Sequence, residues 1–163
     1  MEPGAGQGDV RLTPALASAL LVTPVRVGLG AVGLLASLAR GVDGGPALMA
    51  FALGALGFAV VALSADRFSI ANEDPGPPPP EAAETSRLEA LRAALYPSTL
   101  GLALLLAIAL VASPALAAVL AGVLAGMGAA TLLGAAQIYA RERADGVRLL
   151  VDRRARTIYA ERR

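Results

Sequence analysis

The stretch "VGLGAVGLL", residues 27–35, contains a G-x-G-x-x-G at Gly28, Gly30 and Gly33. A dinucleotide-binding loop with this fingerprint follows a strand, makes a tight turn and opens a helix whose free N–H groups hold a pyrophosphate. It also needs an acidic residue about 20 positions later to hold a ribose. Here the three glycines lie inside an apolar run, residues 15–38, with no separate strand and no turn chemistry before them. Asp43 follows Gly33 by only ten residues and sits in a Gly-rich loop. The nucleotide explanation therefore fails, and the glycines need another.

Working outward, the run is the first of four. Residues 47–65 form a second stretch of 19 residues without a charge, 98–113 a third of 16, and 115–139 a fourth of 25. A helix needs about 20 apolar residues to cross the roughly 30 Å hydrocarbon core of a bilayer. The second and fourth runs qualify outright, and Tyr96, Pro97 and Pro114 can extend the ends of the third. The chain has 163 residues, is 56% hydrophobic and has a mean hydropathy of +0.63. A soluble bundle of this length has too little interior for helices that are apolar all round. The expectation is an all-α integral membrane protein of four transmembrane helices arranged as two hairpins.

The hairpins have different turns. "ARGVDGGP", residues 39–46, offers Gly41, Gly44 and Gly45 for a turn and Pro46 for the start of the next helix. "ASPA", residues 112–115, is a minimal connection broken by Pro114. The expected organisation is a disordered cytosolic N-terminus (1–12), a first transmembrane hairpin (13–65), a Pro-rich spacer and surface helix (66–97), a second hairpin (98–140) and an Arg-rich cytosolic tail (141–163). The N-terminus carries two acids and one Arg and lacks the basic region of a cleaved signal peptide.

Charge gives the orientation. Twelve of the 14 basic residues lie on the side shared by the termini and the middle connection, Arg40 is alone on the other, and Arg26 lies within the first run. The positive-inside bias places both termini in the cytoplasm. Every basic residue is Arg, which reads as GC-rich bacterial coding and makes the bacterial cytoplasmic membrane the expected location. The net charge of +1 gives no field to attract nucleic acid.

The middle connection begins with "NEDPGPPPPE", residues 72–81, a polyproline II spacer. In the following "EAAETSRLEALRAALYP", residues 81–97, Leu88, Leu91 and Leu95 share one face of a helix, with Glu84–Arg87 and Glu89–Arg92 as i,i+3 pairs on the other. That pattern suits a helix lying on the membrane surface. The tail "VRLLVDRRARTIYAERR", residues 147–163, alternates as a strand, a turn and a strand. A lone hairpin is marginal in water, so either it leans on another surface or the tail lies unstructured among anionic headgroups.

The glycines find their use in packing. Between membrane helices, association depends on small residues that let backbones approach. Ala118, Gly122, Gly126, Ala130 and Gly134 recur at every fourth position, with Ala121, Ala125 and Ala129 as a second row and Leu124 away from the ladder. Gly30, Gly33 and Ser37 make a stripe on the first span, and Ala50, Gly54 and Gly57 one on the second. The sequence leaves open whether these surfaces face the chain's own helices or another subunit.

Chemistry is sparse. Without Cys or His there are no thiolate or imidazole metal sites and no Cys or His catalysis. Ser18, Thr23, Ser37, Thr131 and Tyr139 lack a His or Lys base, and Thr23 and Ser37 suit bonds to their own helix backbone. No catalytic, cofactor or metal site is expected, and no acid lies in a membrane core for proton coupling. The exception is Arg26. A break at Pro24, with 13–22 as an interfacial helix capped by Thr13, would let Arg26 snorkel to the cytoplasmic surface. Asp66, at the same end of the second span, is its expected partner. The expected function is a non-enzymatic accessory, assembly or scaffold subunit packing against other membrane subunits or a second copy. The alternative is a small oligomeric transporter or channel in which Arg26 lines a path for anions.

Overall fold

The computed structural model describes residues 10–64, 74–152 and 157–162. In chain order these form β1 (Arg11–Pro14), α1 (Ala15–Ala39), α2 (Gly44–Ser64), β2 (Ala83–Glu84), α3 (Arg87–Leu95), α4 (Ser98–Ala112), α5 (Pro114–Asp145), β3 (Val147–Asp152) and β4 (Thr157–Arg162). The chain is mostly helical. Helices α1, α2 and α5 are long and apolar enough to cross a membrane, and α3 with α4, bent by 52° at their junction, make a fourth candidate if taken as one broken span.

Helix α1 is continuous through Pro24, so the expected break there does not occur. Proline removes one backbone donor and crowds the preceding turn. In an apolar setting Ser and Thr hydroxyls and neighbouring helices compensate. Here α1 is held along its length by α5; the Thr23 hydroxyl bonds the Ala19 carbonyl at 3.0 Å, one residue before the Leu20 carbonyl that Pro24 cannot serve. Thr13 is not an N-cap: it lies in β1, and Pro14 precedes the helix without a side-chain cap. Gly41, at φ +91, makes the turn to α2, and the Ala47 N–H bonds the Asp43 carbonyl at 2.9 Å.

The third apolar run gives a helix of only 15 residues, α4, about 22 Å long and short of a full crossing. The uncharged stretch runs back through the junction to Ala93, in the last turn of α3. Helix α5 has 32 residues, about 48 Å. Ser113 caps its start, with Pro114 in the first turn, and Gly146 ends it in the left-handed conformation at φ 65. Its last turns, with Arg141, Glu142 and Arg143, outrun a hydrocarbon core.

Helix α5 is the hub of the bundle. One of its small-residue rows receives α2: a Cβ at Gly54 would overlap the Val119 carbonyl, one at Gly122 the Phe51 carbonyl, and one at Gly126 would stand 2.8 Å from the Ala55 carbonyl. The other row receives α1: at Gly30 a Cβ would stand 2.7 Å from the Ala121 carbonyl, and at Gly33 2.9 Å from the Ala121 methyl. Leu124 lies fully buried with Ala117, Ala121, Leu106 and Ala109 in this core. It does not face away, as its position off the ladder suggests.

The sheet joins three remote segments. Its order is β2-β1-β3-β4, with β1 parallel to β2, and β3 antiparallel to both β1 and β4. The expected C-terminal hairpin is present, and β3 is its inner strand. Strand β1 starts at Arg11, inside the segment expected to be disordered. The inner face carries Leu149 and Ile158, packed on Ala15 and Ile138. Buried Glu142 accepts the Leu149 N–H at 2.9 Å and so ties α5 to β3.

The middle connection reaches both flanks of the sheet. Gly76 pairs with Tyr159 on the β4 side, exchanging bonds with Ile158 and Ala160, and Ala83 pairs with Arg11 on the β1 side. The prolines between them carry the chain from one flank to the other. The two expected i,i+3 ion pairs are replaced by longer ones: Glu84 binds Arg148 at 2.6 Å and Glu89 binds Arg11 at 3.0 Å. Helix α3 starts at Ser86, whose hydroxyl and N–H form a capping box with Glu89. It buries Ala90, while Leu88 of the expected apolar face is exposed.

Candidate functional site

The one charged side chain within the apolar part of α1 is Arg26, and three elements converge on it. Its Nε donates to the Thr99 hydroxyl at 2.9 Å, its Nη1 to the Thr131 hydroxyl at 2.8 Å and its Nη2 to the Ala94 carbonyl at 3.4 Å. Thr99 stands in the first turn of α4, Thr131 in the middle of α5 and Ala94 in the last turn of α3. The final carbonyls of a helix have no partner within it, and a cation is favoured at that end by the helix dipole. Arg26 therefore fastens the α3–α4 elbow, a point where the backbone leaves the helical pattern and needs outside donors. The Thr131 hydroxyl donates its own hydrogen bond to the Met127 carbonyl at 2.7 Å, which leaves its lone pairs for the guanidinium.

Depth follows from counting residues. Arg26 is 13 residues from the far end of α1 at Ala39, and Thr99 is 13 from the end of α4 at Ala112. At 1.5 Å per residue both are about 20 Å from that end, so Arg26 and Thr99 stand at the same level. Arg26 is nearer the sheet end of α1 without any break at Pro24, 11 residues from Ala15. Asp66, its expected partner, lies outside the described residues.

Beside Arg26 is a cavity of about 800 Å³. Thr13 and Ser18 line it near the sheet, Arg26 and Thr131 lie in its wall, and Phe58 and Leu102 are among its apolar lining. Ala130 and Gly134, the last two members of the α5 ladder, are half-buried and also line it. The ladder is thus divided: Ala118, Gly122 and Gly126 are buried at helix contacts, and its upper part opens onto the cavity. Gly28 and Gly57 have nothing within 4 Å of where a Cβ would stand. Gly57 therefore falls outside the helix contact expected of it, because α2 meets α5 through Phe51, Gly54 and Ala55 and Gly57 lies exposed off that face.

The hydroxyls have local partners. Ser18 bonds the Ala15 carbonyl at 2.9 Å and Ser37 the Gly33 carbonyl at 2.9 Å. Among the described residues no group of three acids stands together as a metal site. The cavity next to Arg26 is what the sequence did not reveal. Its walls come from all five helices and from β1 and β3, so no local pattern announces it. Comparison with protein-family models, with curated proteins and with solved structures finds no match to this chain.

Proposed function

We propose that this is an integral protein of the bacterial cytoplasmic membrane, with both termini cytosolic, acting as a non-catalytic accessory, assembly or scaffold subunit. The observation that carries this reading is the outward surface of the helices. Val32, Leu35, Leu53, Leu56 and Leu104 are each 64–65% exposed, far more apolar surface than a soluble monomer tolerates but suited to lipid or to neighbouring membrane helices. Further support comes from the glycine contacts, which are taken up inside the chain, and from hydroxyls that bond their own helices. Partners then meet the outer faces of α1, α2 and α4, and the sheet with its Arg-rich strands faces the cytosol. Copurification in mild detergent tests the proposal: a stoichiometric unlike membrane subunit supports it.

The cavity at Arg26 favours a second reading, a small oligomeric transporter or channel for anions. A homo-oligomer that passes anions in liposomes, with flux lost in Arg26→Gln, would put that reading first.

A further inference from the structure

The sheet is covered on both faces, although the helices account for only one. Consecutive strand residues point to opposite faces, yet Leu149 and Leu150 are both buried, at 0% and 3% exposure. Strand register sorts the side chains. Leu149 and Ile158 lie on the inner face, packed on Ala15 and Ile138, while Leu12, Leu150 and Tyr159 lie on the outer one. Leu12 is buried as well, and Tyr159 is half-buried. The outer face therefore has a cover that is not a helix of the bundle. The middle connection passes from Gly76, beside β4, to Ala83, beside β1, a width of four strand spacings or about 19 Å. In polyproline II the seven steps reach about 22 Å, or about 20 Å with the turn in which the Ala82 N–H bonds the Pro79 carbonyl at 3.1 Å. That length allows one direct crossing and no detour. With the helices on the inner face, the crossing runs over the outer one. Exposure along the connection has the matching period of three residues: Pro77 and Pro80 are exposed, whereas Pro75 with Pro78, and Gly76 with Pro79, are half-buried.

We infer that the outer face of the sheet, at Leu12, Leu150 and Tyr159, is a polyproline-binding surface, occupied in cis by residues 75–80 and able to take a proline-rich segment of a partner when that strap lifts. Proline-rich segments dock on apolar, aromatic-bearing surfaces because polyproline II is already ordered and loses little entropy on binding. Pro79, three residues past Gly76, has advanced about 9 Å, two strand spacings, and so stands over β3 and Leu150. Beyond it the strap is fastened by the ion pair of Glu84 with Arg148, two residues that the register places on the same outer face. A tethered strap acts at an effective concentration in the millimolar range, so it keeps out a free peptide of the same kind. The inference concerns the sheet and holds whether or not the helices lie in a bilayer.

Two measurements on the full chain in mild detergent test the strap and the surface separately. The sequence has no cysteine, so Pro79→Cys can be combined with Leu150→Cys or with Val151→Cys, its neighbour on the inner face. Mild oxidation should give a disulfide, read by mass, in the Leu150→Cys pair and not in the Val151→Cys pair. A bond in the Val151→Cys pair, or in neither, would overturn the crossing. For the surface, Pro77→Gly, Pro78→Ser, Pro79→Gly and Pro80→Ser are made together, which keeps the length of the connection and removes its docked rings. A fluorescent synthetic peptide of residues 74–83 is then titrated and its anisotropy read. Binding should be at least about tenfold tighter to this variant than to the unaltered chain, the gain from removing a tethered competitor. Adding Tyr159→Ala should abolish it, and Tyr159→Phe should keep it, with the helical circular dichroism unchanged throughout. Equal affinity of the unaltered and strap-replaced chains, or binding indifferent to Tyr159→Ala, would overturn the polyproline surface. The disulfide pairs keep the strap testable in a chain whose other prolines are intact.

Discussion

At the scale of single residues, Arg26 and the packing glycines make different demands on their surroundings. Arg26 satisfies three acceptors from three helices, and truncation leaves the Ala94 carbonyl and the Thr99 hydroxyl without that donor. Loss of charged hydrogen bonds in a partly buried setting costs about 1.5–3 kcal/mol each, reduced by release of the desolvated charge. Arg26→Ala should therefore destabilise the chain in detergent by about 1–3 kcal/mol, read as thermal unfolding by circular dichroism. Arg26→Lys should recover only part, since an ammonium cannot span the fork of acceptors. Equal stability of all three proteins would mean that Arg26 does not fasten the elbow. At the glycines the limiting factor is space. Gly122→Leu drives a side chain into the Phe51 backbone carbonyl of α2, which no rotamer change relieves, and should cost about 1–3 kcal/mol. Gly57→Leu, with open space around it, should be near neutral in the same measurement. Similar losses in both would show that the α2–α5 contact is not set by its glycines. The four-residue spacing made Gly122 and Gly126 legible in the sequence, whereas Gly57 belongs to a small-residue stripe yet lies off the face that meets α5, because such a stripe does not show which part of the helix its neighbour touches.

At the scale of elements, the sequence predicts best where a pattern is long and local. Helices α2 and α5 follow from apolar length alone, and the alternation at Val147, Leu149 and Val151 gives β3. What escapes it is set by distant partners. Strands β1 and β2 have four and two residues, with no periodicity to detect, and they exist because β3 and the middle connection lie beside them. The break expected at Pro24 rests on the rule for isolated helices, while α1 stays continuous there against α5. The real interruption lies at the α3–α4 elbow, where Arg26 supplies a donor from another helix. Helix α3 is short and depends on its cap: Ser86 accepts the Glu89 N–H and Glu89 returns the bond while also reaching Arg11. Ser86→Ala should lose the box, worth about 1 kcal/mol for a helix cap, and faster hydrogen exchange should appear in α3 and at Arg11 with α5 unchanged. Unaltered exchange in α3 would show that the elbow alone holds it.

At the scale of the whole molecule, the sheet constrains topology more strongly than hydropathy does. Segments 11–14, 83–84, 147–152 and 157–162 pair in one sheet, so in a membrane they must all lie on the same side, as two helical hairpins require. Single cysteines at Gly76 and Glu161 should therefore react alike with an impermeant maleimide in intact cells, and one at Asp43 should respond oppositely; labelling of Gly76 together with Asp43 would break the two-hairpin layout. The sheet also sets an order of assembly. Its inner strand β3 comes after all the helices in the chain and pairs with both β1 and β4, while among the described residues β2 pairs only with β1. Deleting residues 147–163 removes Leu149 and Ile158 from the core above Ala15 and Ile138, and takes away the strand that Gly76 pairs with. The glycine contacts of α5 with α1 and α2 do not involve the tail and should persist. The truncated chain should thus remain in the membrane fraction with its helical content and slow exchange in α5 retained. The amides of 11–14 and 83–84 should lose protection, and the proline connection should become open to protease. Protection retained at 11–14 without β3 would mean that the sheet does not join the two hairpins; loss of α5 protection as well would mean that the helices depend on it.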